Sequence, residues 1–420
     1  MTEGTRGGRL TGKWRTFTSL PAGLKALIGL SFVVALGSYM VTPFIGVLMV
    51  KAIGLDIRVA GTLVAVATFI QFGGSILGGA VVDRIGLKRT MVLALTVRTA
   101  GLALLGVAVT VPWVAYPAVV LVAAGPALYL PANKAYIVTS VSDELRPLFL
   151  GVSSAALNAG MGIGPLLAAL LIDADPLLLL VGLAGLFALI TAAHQTALKP
   201  VERRPDAPPA TRGSEKVRGK RAALRGALRP VLFTALAFYL YFFFQSFIGL
   251  YAAGVSDIQL LGWVMLLNCA MVVLLQPPLA DRIASADYRL LMAGSFGLMA
   301  LGMASMALGG LPALLAGTAF FTLGEIFLFL RCDLELVDRV PGNPAFAFGV
   351  QRLAAGIGGL LAGVVGGFVF AHFEAAGHLG TFWLVVAAQC AGAALLALLL
   401  GGRTRPAVPE TIAVETGVAR

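Results

Sequence analysis

The sequence predicts an all-α polytopic membrane protein, on three observations. Of its 420 residues, 59% are hydrophobic and only 12% charged, about half the roughly 25% of charged residues usual in soluble domains. The apolar residues fall into twelve runs, each long enough to cross ~30 Å of hydrocarbon as a helix. Lys and Arg are also divided very unevenly between alternate connections, the positive-inside signature.

The runs lie near 24–50, 59–82, 90–112, 116–140, 147–171, 177–198, 229–253, 259–280, 289–308, 312–335, 346–371 and 381–402. With the N-terminus inside, the cytoplasmic side collects 25 Lys and Arg, among them Arg6, Arg9, Lys13, Arg15, Lys25, Arg146 and ten in the central connection; the other side holds only Lys51 and Arg58. The net charge of +11 is therefore a topology signal and implies no nucleic-acid partner. The expected setting is the cell (inner) membrane, with both termini cytoplasmic and the lipid bilayer as solvent. The basic N-terminus leads into an apolar run too long for a cleavable signal. Cys269, Cys332 and Cys390 lie inside separate runs, read as small apolar fillers, and have neither a disulfide framework nor a metal spacing.

The segment "KPVERRPDAPPATRGSEKVRGKRAALRG" is rich in Pro, Gly and charge and reads as a flexible cytoplasmic linker. The expected organisation is a first bundle over 1–198, a linker over 199–228, a second bundle over 229–402 and a tail over 403–420. A shift of 198 residues lays Asp83-Arg84-Ile85 on Asp281-Arg282-Ile283, Gly151-Val152 on Gly349-Val350 and Gly160 on Gly358. Six runs per half put both halves in the same orientation, a parallel repeat with a substrate site at the interface.

Taken in order, span 1 carries Leu36-Gly37, Tyr39 and Pro43. Spans 2 and 3 are joined by "DRIGLKR", a charged connection short enough to force close antiparallel packing. Arg98 lies deep in span 3, where a role inside the bundle and a role facing a cavity are both open. In span 4 Lys134 is near enough to the end to snorkel. Span 5 holds small residues at helical spacing, which let helices approach closely in lipid, and Pro165, which bends the helix. Span 7, "FYLYFFFQSFIGLY", offers Tyr241, Phe244 and Gln245 to an apolar cavity with a few polar handles. Gln71, Tyr129, Asn133, Asn158 and Asn268 are further candidate cavity groups.

Span 10 carries Glu325, the one deep acid. Intramembrane ionisable residues cost several kcal/mol and are functional hypotheses by default. Glu325 is the candidate proton-coupling residue, with a structural hydrogen bond as the alternative; a cationic substrate competing for the deprotonated acid would give exchange. Further along, Arg331 and Glu335 are four apart and should pair on one face. No Walker motif, HExxH or nucleophile elbow is present, so no enzyme, ATP-driven pump, metal site or cofactor is expected.

The connection after span 2 resembles the signature of the major facilitator superfamily, through Gly79, Asp83, Arg84, Gly86, Lys88 and Arg89, with Leu87 where a basic residue is usual. The resemblance implies twelve helices in two parallel six-helix bundles. It also implies a gate in which Asp83 lies near the positive N-terminus of a helix in the other half, with Asp281 and Arg282 as a weaker copy. Lys88 or Arg89 would reach Asp143 or Glu144. The span 5 stretch "GVSSAALNAGMGIGPLLAA" is similar to the motif of the drug:proton antiporter branches through Gly151, Gly160, Gly164 and Pro165, with Ala168 and Ala169 in place of the final glycines. Leu36, Gly37 and Pro43 resemble the span 1 pattern of those branches. The position of Arg98, with "RLAAGIGG", resembles a multidrug-exporter branch. The implied protein is a monomeric secondary transporter exporting amphipathic small molecules in exchange for protons. An uptake symporter for a small nutrient and a non-transporting receptor on the same fold are the alternatives.

Overall fold

The computed structural model describes residues 22–42, 44–172, 176–201, 213–255, 258–340 and 343–400. The basic N-terminal residues Arg6 to Arg15, Pro43, the Asp173–Asp175 segment, linker residues 202–212 and the tail lie outside the described residues. Fourteen α-helices follow one another among those described: α1 (Ala22–Val41), α2 (Ile45–Lys51), α3 (Ile57–Gly73), α4 (Ser75–Ile85), α5 (Leu87–Ala108), α6 (Ala115–Ser140), α7 (Arg146–Ile172), α8 (Pro176–Ala197), α9 (Gly213–Val255), α10 (Ile258–Ser285), α11 (Tyr288–Met306), α12 (Gly310–Arg339), α13 (Pro344–Ala375) and α14 (Leu379–Leu400).

Eleven of these helices are long and apolar enough to cross a membrane, and α3 with α4 makes a twelfth span bent by 48°. The bend falls inside the run 59–82, whose hydropathy reads as one straight helix. Gly73-Gly74-Ser75 places two residues without side-chain support beside a hydroxyl that bonds the helix's own backbone, Ser75 Oγ donating to the Gln71 carbonyl at 2.7 Å. Gly and Ser at such a site are a known cause of kinks.

Two further expectations change. The connection between spans 2 and 3 is a single residue, Gly86, with φ of +85°, so Asp83 and Arg84 are in the last turn of α4 and Lys88 and Arg89 in the first turn of α5. A left-handed backbone at a helix end is the conformation glycine adopts without steric penalty. The second half of the segment read as a flexible linker belongs to α9, which begins at Gly213. "EKVRGKRAALRGAL" is rich in Ala, Lys, Arg and Leu, all strong helix formers.

The helices gather into two bundles, each with its own apolar core. One core joins Leu27, Val41, Leu102, Val119 and Phe187 of the first half; the other joins Phe244, Phe296, Phe321, Phe382 and Trp383 of the second. The repeat is visible in the packing. A Cβ on Gly160 of α7 would lie 2.6 Å from the Leu36 backbone nitrogen of α1, and one on Gly358 of α13 would lie 2.7 Å from the Tyr239 nitrogen of α9. A third apolar cluster draws on both halves, with Ala135, Val138 and Leu150 packed against Ala280, Ile326, Leu330 and Phe348. It sits toward the end of the bundle where Gly86 lies, called here the turn end. Large apolar side chains such as Phe69, Leu178, Leu308 and Phe368 are exposed around the outside, as a lipid-facing surface requires.

Candidate functional site

At the turn end the halves meet along two seams. In the first, α4 lies against the start of α13: a Cβ on Gly79 would be 2.9 Å from Phe346 Cα, and one on Gly349 would be 2.8 Å from the Ser75 carbonyl oxygen. In the second, Gly151 of α7 faces α10, where an added Cβ would be 3.4 Å from Ala280 Cβ. The two positions matched by the 198-residue shift, Gly151 and Gly349, thus do equivalent jobs on opposite seams.

Asp83 accepts a hydrogen bond from Asn343 Nδ2 at 3.3 Å, and Asn343 caps α13 by accepting from the Phe346 amide at 3.0 Å. The carboxylate is therefore at the N-terminal end of a helix of the other half, where the helix dipole favours negative charge. Asp281 and Arg282, in the last turns of α10, are exposed, as is Arg84. Lys88 does not reach the span 4–5 connection: its Nζ donates to the Gln195 carbonyl of α8 at 2.7 Å, while Asp143 pairs with Arg146 at 2.9 Å.

Deeper along the same pathway, Lys134 Nζ of α6 is 2.6 Å from Asp333 Oδ2 of α12 and 3.4 Å from Gln351 Oε1 of α13. Gln351 Nε2 donates to the other oxygen of Asp333. One carboxylate, only 9% exposed, thus ties three helices and both halves together. The sequence expectation is that Lys134 snorkels to water; a buried anion within reach gives it a shorter route to a partner. Beside it Arg331 and Arg339 both pair with Glu335, at 3.3 and 2.8 Å, and the first of these is the expected pair.

At mid-depth the arrangement differs. Glu325 is 6% exposed and accepts from Asn268 Nδ2 at 2.8 Å; the same nitrogen is 2.9 Å from Thr322 Oγ1. Gln245 Nε2 donates to the Tyr241 hydroxyl at 2.5 Å, and that phenol is within electrostatic range of both Glu325 and Tyr39. Tyr39, Gln71, Tyr241 and Gln245 all stay partly exposed, and next to Gln71 and Tyr241 the rings of Phe72 and Phe242 meet across the halves with centroids 6.1 Å apart, so the two halves bring polar groups close together at this level. Gly164 positions one of them, since a Cβ there would be 3.0 Å from Tyr39 Cβ; Pro165 follows within α7. Asn158 lies at the α7–α10 seam, its Nδ2 bonded to the Ser154 carbonyl and its own carbonyl accepting from Cys269 Sγ at 3.3 Å.

Three candidates face elsewhere. The Tyr129 hydroxyl is 3.0 Å from His194 Nε2, and Asn133 Nδ2 donates to Ser31 Oγ at 3.0 Å; both residues are buried inside the first half. Phe244 is fully buried and stacked on Phe321 with ring centroids 4.3 Å apart. Each packs inside its own bundle, although Asn133 Oδ1 has no hydrogen-bond partner there.

Two arginines also lie deep in the bundles. Arg98 of α5 is 4% exposed, with its guanidinium 5.0 Å from the Phe187 ring centroid. Arg352 of α13 lies over Phe72, 4.5 Å from that centroid, so it reaches from the second half onto the first. Arg352 was not among the sequence candidates, although a count would have found it. Of 31 Lys and Arg, 27 fall in connections and termini, and Arg352 is one of the four left in the spans.

The Major Facilitator Superfamily model matches residues 27–330. The multidrug resistance protein MdtH of Escherichia coli O1:K1 / APEC is 26% identical over 348 residues, covering 81% of this chain and 84% of that protein, and the same holds for MdtH of Shigella boydii serotype 18. Among solved structures, a point variant of the E. coli fucose:proton symporter FucP matches with a TM-score of 0.71 at 16% identity, covering 91% of this chain and 98% of that one. FucP in the outward conformation gives 0.70 at 17%, covering 91% and 99%. The human organic anion transporter MFSD10 gives 0.67 at 16%, covering 90% and 98%. These relatives and this fold are those of transporters, not of enzymes. Two six-helix bundles, closed on each other at the turn end around a shared polar space, are the body of a secondary transporter, and the chain belongs to the Major Facilitator Superfamily.

Proposed function

We propose that this protein is a monomeric, proton-coupled exporter of amphipathic small molecules working by alternating access. In this reading the halves 1–198 and 229–402 rock about the shared space, joined by the segment 199–228 and followed by the tail 403–420. The concentration of Lys and Arg at the turn end supports a cytoplasmic location for that end and for both termini. The conformation described is then closed to the cytoplasm. Similarity to multidrug resistance proteins over 81% of the chain supports export; the likeness to a fucose symporter carries the fold and not the direction.

The observation that carries the coupling is Glu325. Among the described residues it is a mid-depth carboxylate with an amide partner and no cation partner. With no cation to hold it ionised, this acid can gain or lose a proton according to which side the space opens to. Glu325→Gln imitates the protonated acid at nearly constant size. It should retain energy-independent counterflow and lose gradient-driven accumulation of dye in everted vesicles at two pH values. Unchanged, pH-dependent uphill transport by the variant would return Glu325 to a structural role.

A further inference from the structure

The two deep arginines have no partner to explain them. Arg98 Nε, and Arg352 Nε and Nη2, are buried nitrogens without a hydrogen-bond acceptor. Neither residue makes an ion pair among the described residues. Both rest on aromatic rings, a contact that favours a guanidinium but accepts none of its N–H groups. Tyr39 is the titratable neighbour common to both, and a Cβ on Gly37, two residues before it in α1, would be 2.9 Å from the Phe187 ring that Arg98 covers. Elsewhere this chain gives its deep cations a carboxylate: Lys134 pairs with Asp333, and Arg331, whose own Nε also lacks an acceptor, pairs with Glu335. A buried charge left without a counter-ion is costly, and a planar fork of donors matches a carboxylate or similar planar anion.

We propose that Arg98 and Arg352, with Tyr39 of α1, form the binding site for the head group of an amphipathic organic anion whose apolar body lies on Phe72 and Phe242. Those two rings meet edge to face across the halves, with centroids 6.1 Å apart. The site therefore exists only when the halves are apposed, and a bound anion would draw Arg352 and Arg98 toward one ligand. This rests on the transport reading and names its substrate class. It replaces the competing-cation exchange that Glu325 alone suggested.

The test uses two dyes on one xanthene scaffold, fluorescein as the anion and rhodamine 6G as the cation, binding to the purified full chain in nonionic detergent by fluorescence anisotropy. Wild type should bind fluorescein at least tenfold more tightly than rhodamine 6G. Arg352→Gln and Arg98→Gln should each weaken fluorescein about tenfold to a hundredfold, the loss of a charge-assisted contact, with little change for rhodamine 6G. Arg352→Lys keeps the charge and should keep most of the preference, which separates charge from misfolding. Equal affinity for the two dyes, a preference for the cation, no saturable fluorescein binding, or full retention in a folded Arg352→Gln overturns the inference. Counterflow in proteoliposomes decides the transport reading separately. Movement of rhodamine 6G without fluorescein defeats the anion site and leaves transport standing; fluorescein binding with counterflow of neither dye does the reverse.

Discussion

At the turn end the deep charges come with partners: Lys134 with Asp333 and Gln351, Arg331 and Arg339 with Glu335. At mid-depth Arg98 and Arg352 have aromatic rings and a phenol for company, and Glu325 has an amide. The cost of taking a charge out of water applies in both layers. The first layer offsets it internally, so its charges hold the halves in one arrangement. The second leaves it uncompensated, so its charges respond to whatever enters. On the proposed reading, the ion pairs of one layer and their absence from the other separate structural charges from ligand-binding ones.

The comparison breaks most severely through the glycines of the seam. Gly349→Val should cost about 1–3 kcal/mol of overpacking against the α4 backbone, and only when the turn end is closed. Spin labels at Arg84 and Ser285, in a background without native cysteines, should then show a longer distance between halves in a folded protein. Gly160→Val carries the same chemistry inside one half and should instead lower thermal stability in every conformation. If the two variants behaved alike, seam and bundle packing would not be separable.

A smaller effect is expected from Lys134→Met, which leaves Asp333 with Gln351 alone. The Lys134 side chain is 29% exposed, so the loss should be about 1–2 kcal/mol, below that of a fully buried pair. The same label pair should shift partway toward the open distance. An Arg352→Gln protein should show no such opening, because that arginine belongs to the other layer.

The smallest change sharpens the picture. Asp83→Asn removes a charge from the α13 N-terminus worth about 0.3–1 kcal/mol; folding should be nearly intact and counterflow reduced several-fold. Asp281→Asn should do less, since its surroundings keep only part of the motif. Wild-type rates in both would remove the gating role.

Much of this was legible in the sequence, and the failures have a common cause. Helix number and repeat were readable because hydrocarbon thickness sets span length, and because Gly151, Gly349, Gly160 and Gly358 recur where backbones must nearly touch. Arg331 and Glu335 were readable because four-residue spacing is local. Which way Tyr129, Asn133 and Phe244 face was not, since helices apolar on all sides carry no periodicity to mark an inner face. The bend at Gly73-Gly74-Ser75 left no trace in hydropathy. Lys134 and Asp333 are 199 residues apart, a pairing that only the closed halves create.

The unpaired guanidiniums also bear on energetics. A neutral or cationic cargo leaving while one proton enters moves at most one elementary charge inward. An anion leaving while a proton enters moves two. At about 2.3 kcal/mol per charge per 100 mV, the membrane potential alone would then supply roughly twice the drive available to exchange of a proton for a neutral molecule. Transport would be strongly electrogenic, and a potassium diffusion potential set with valinomycin would power it without any pH difference.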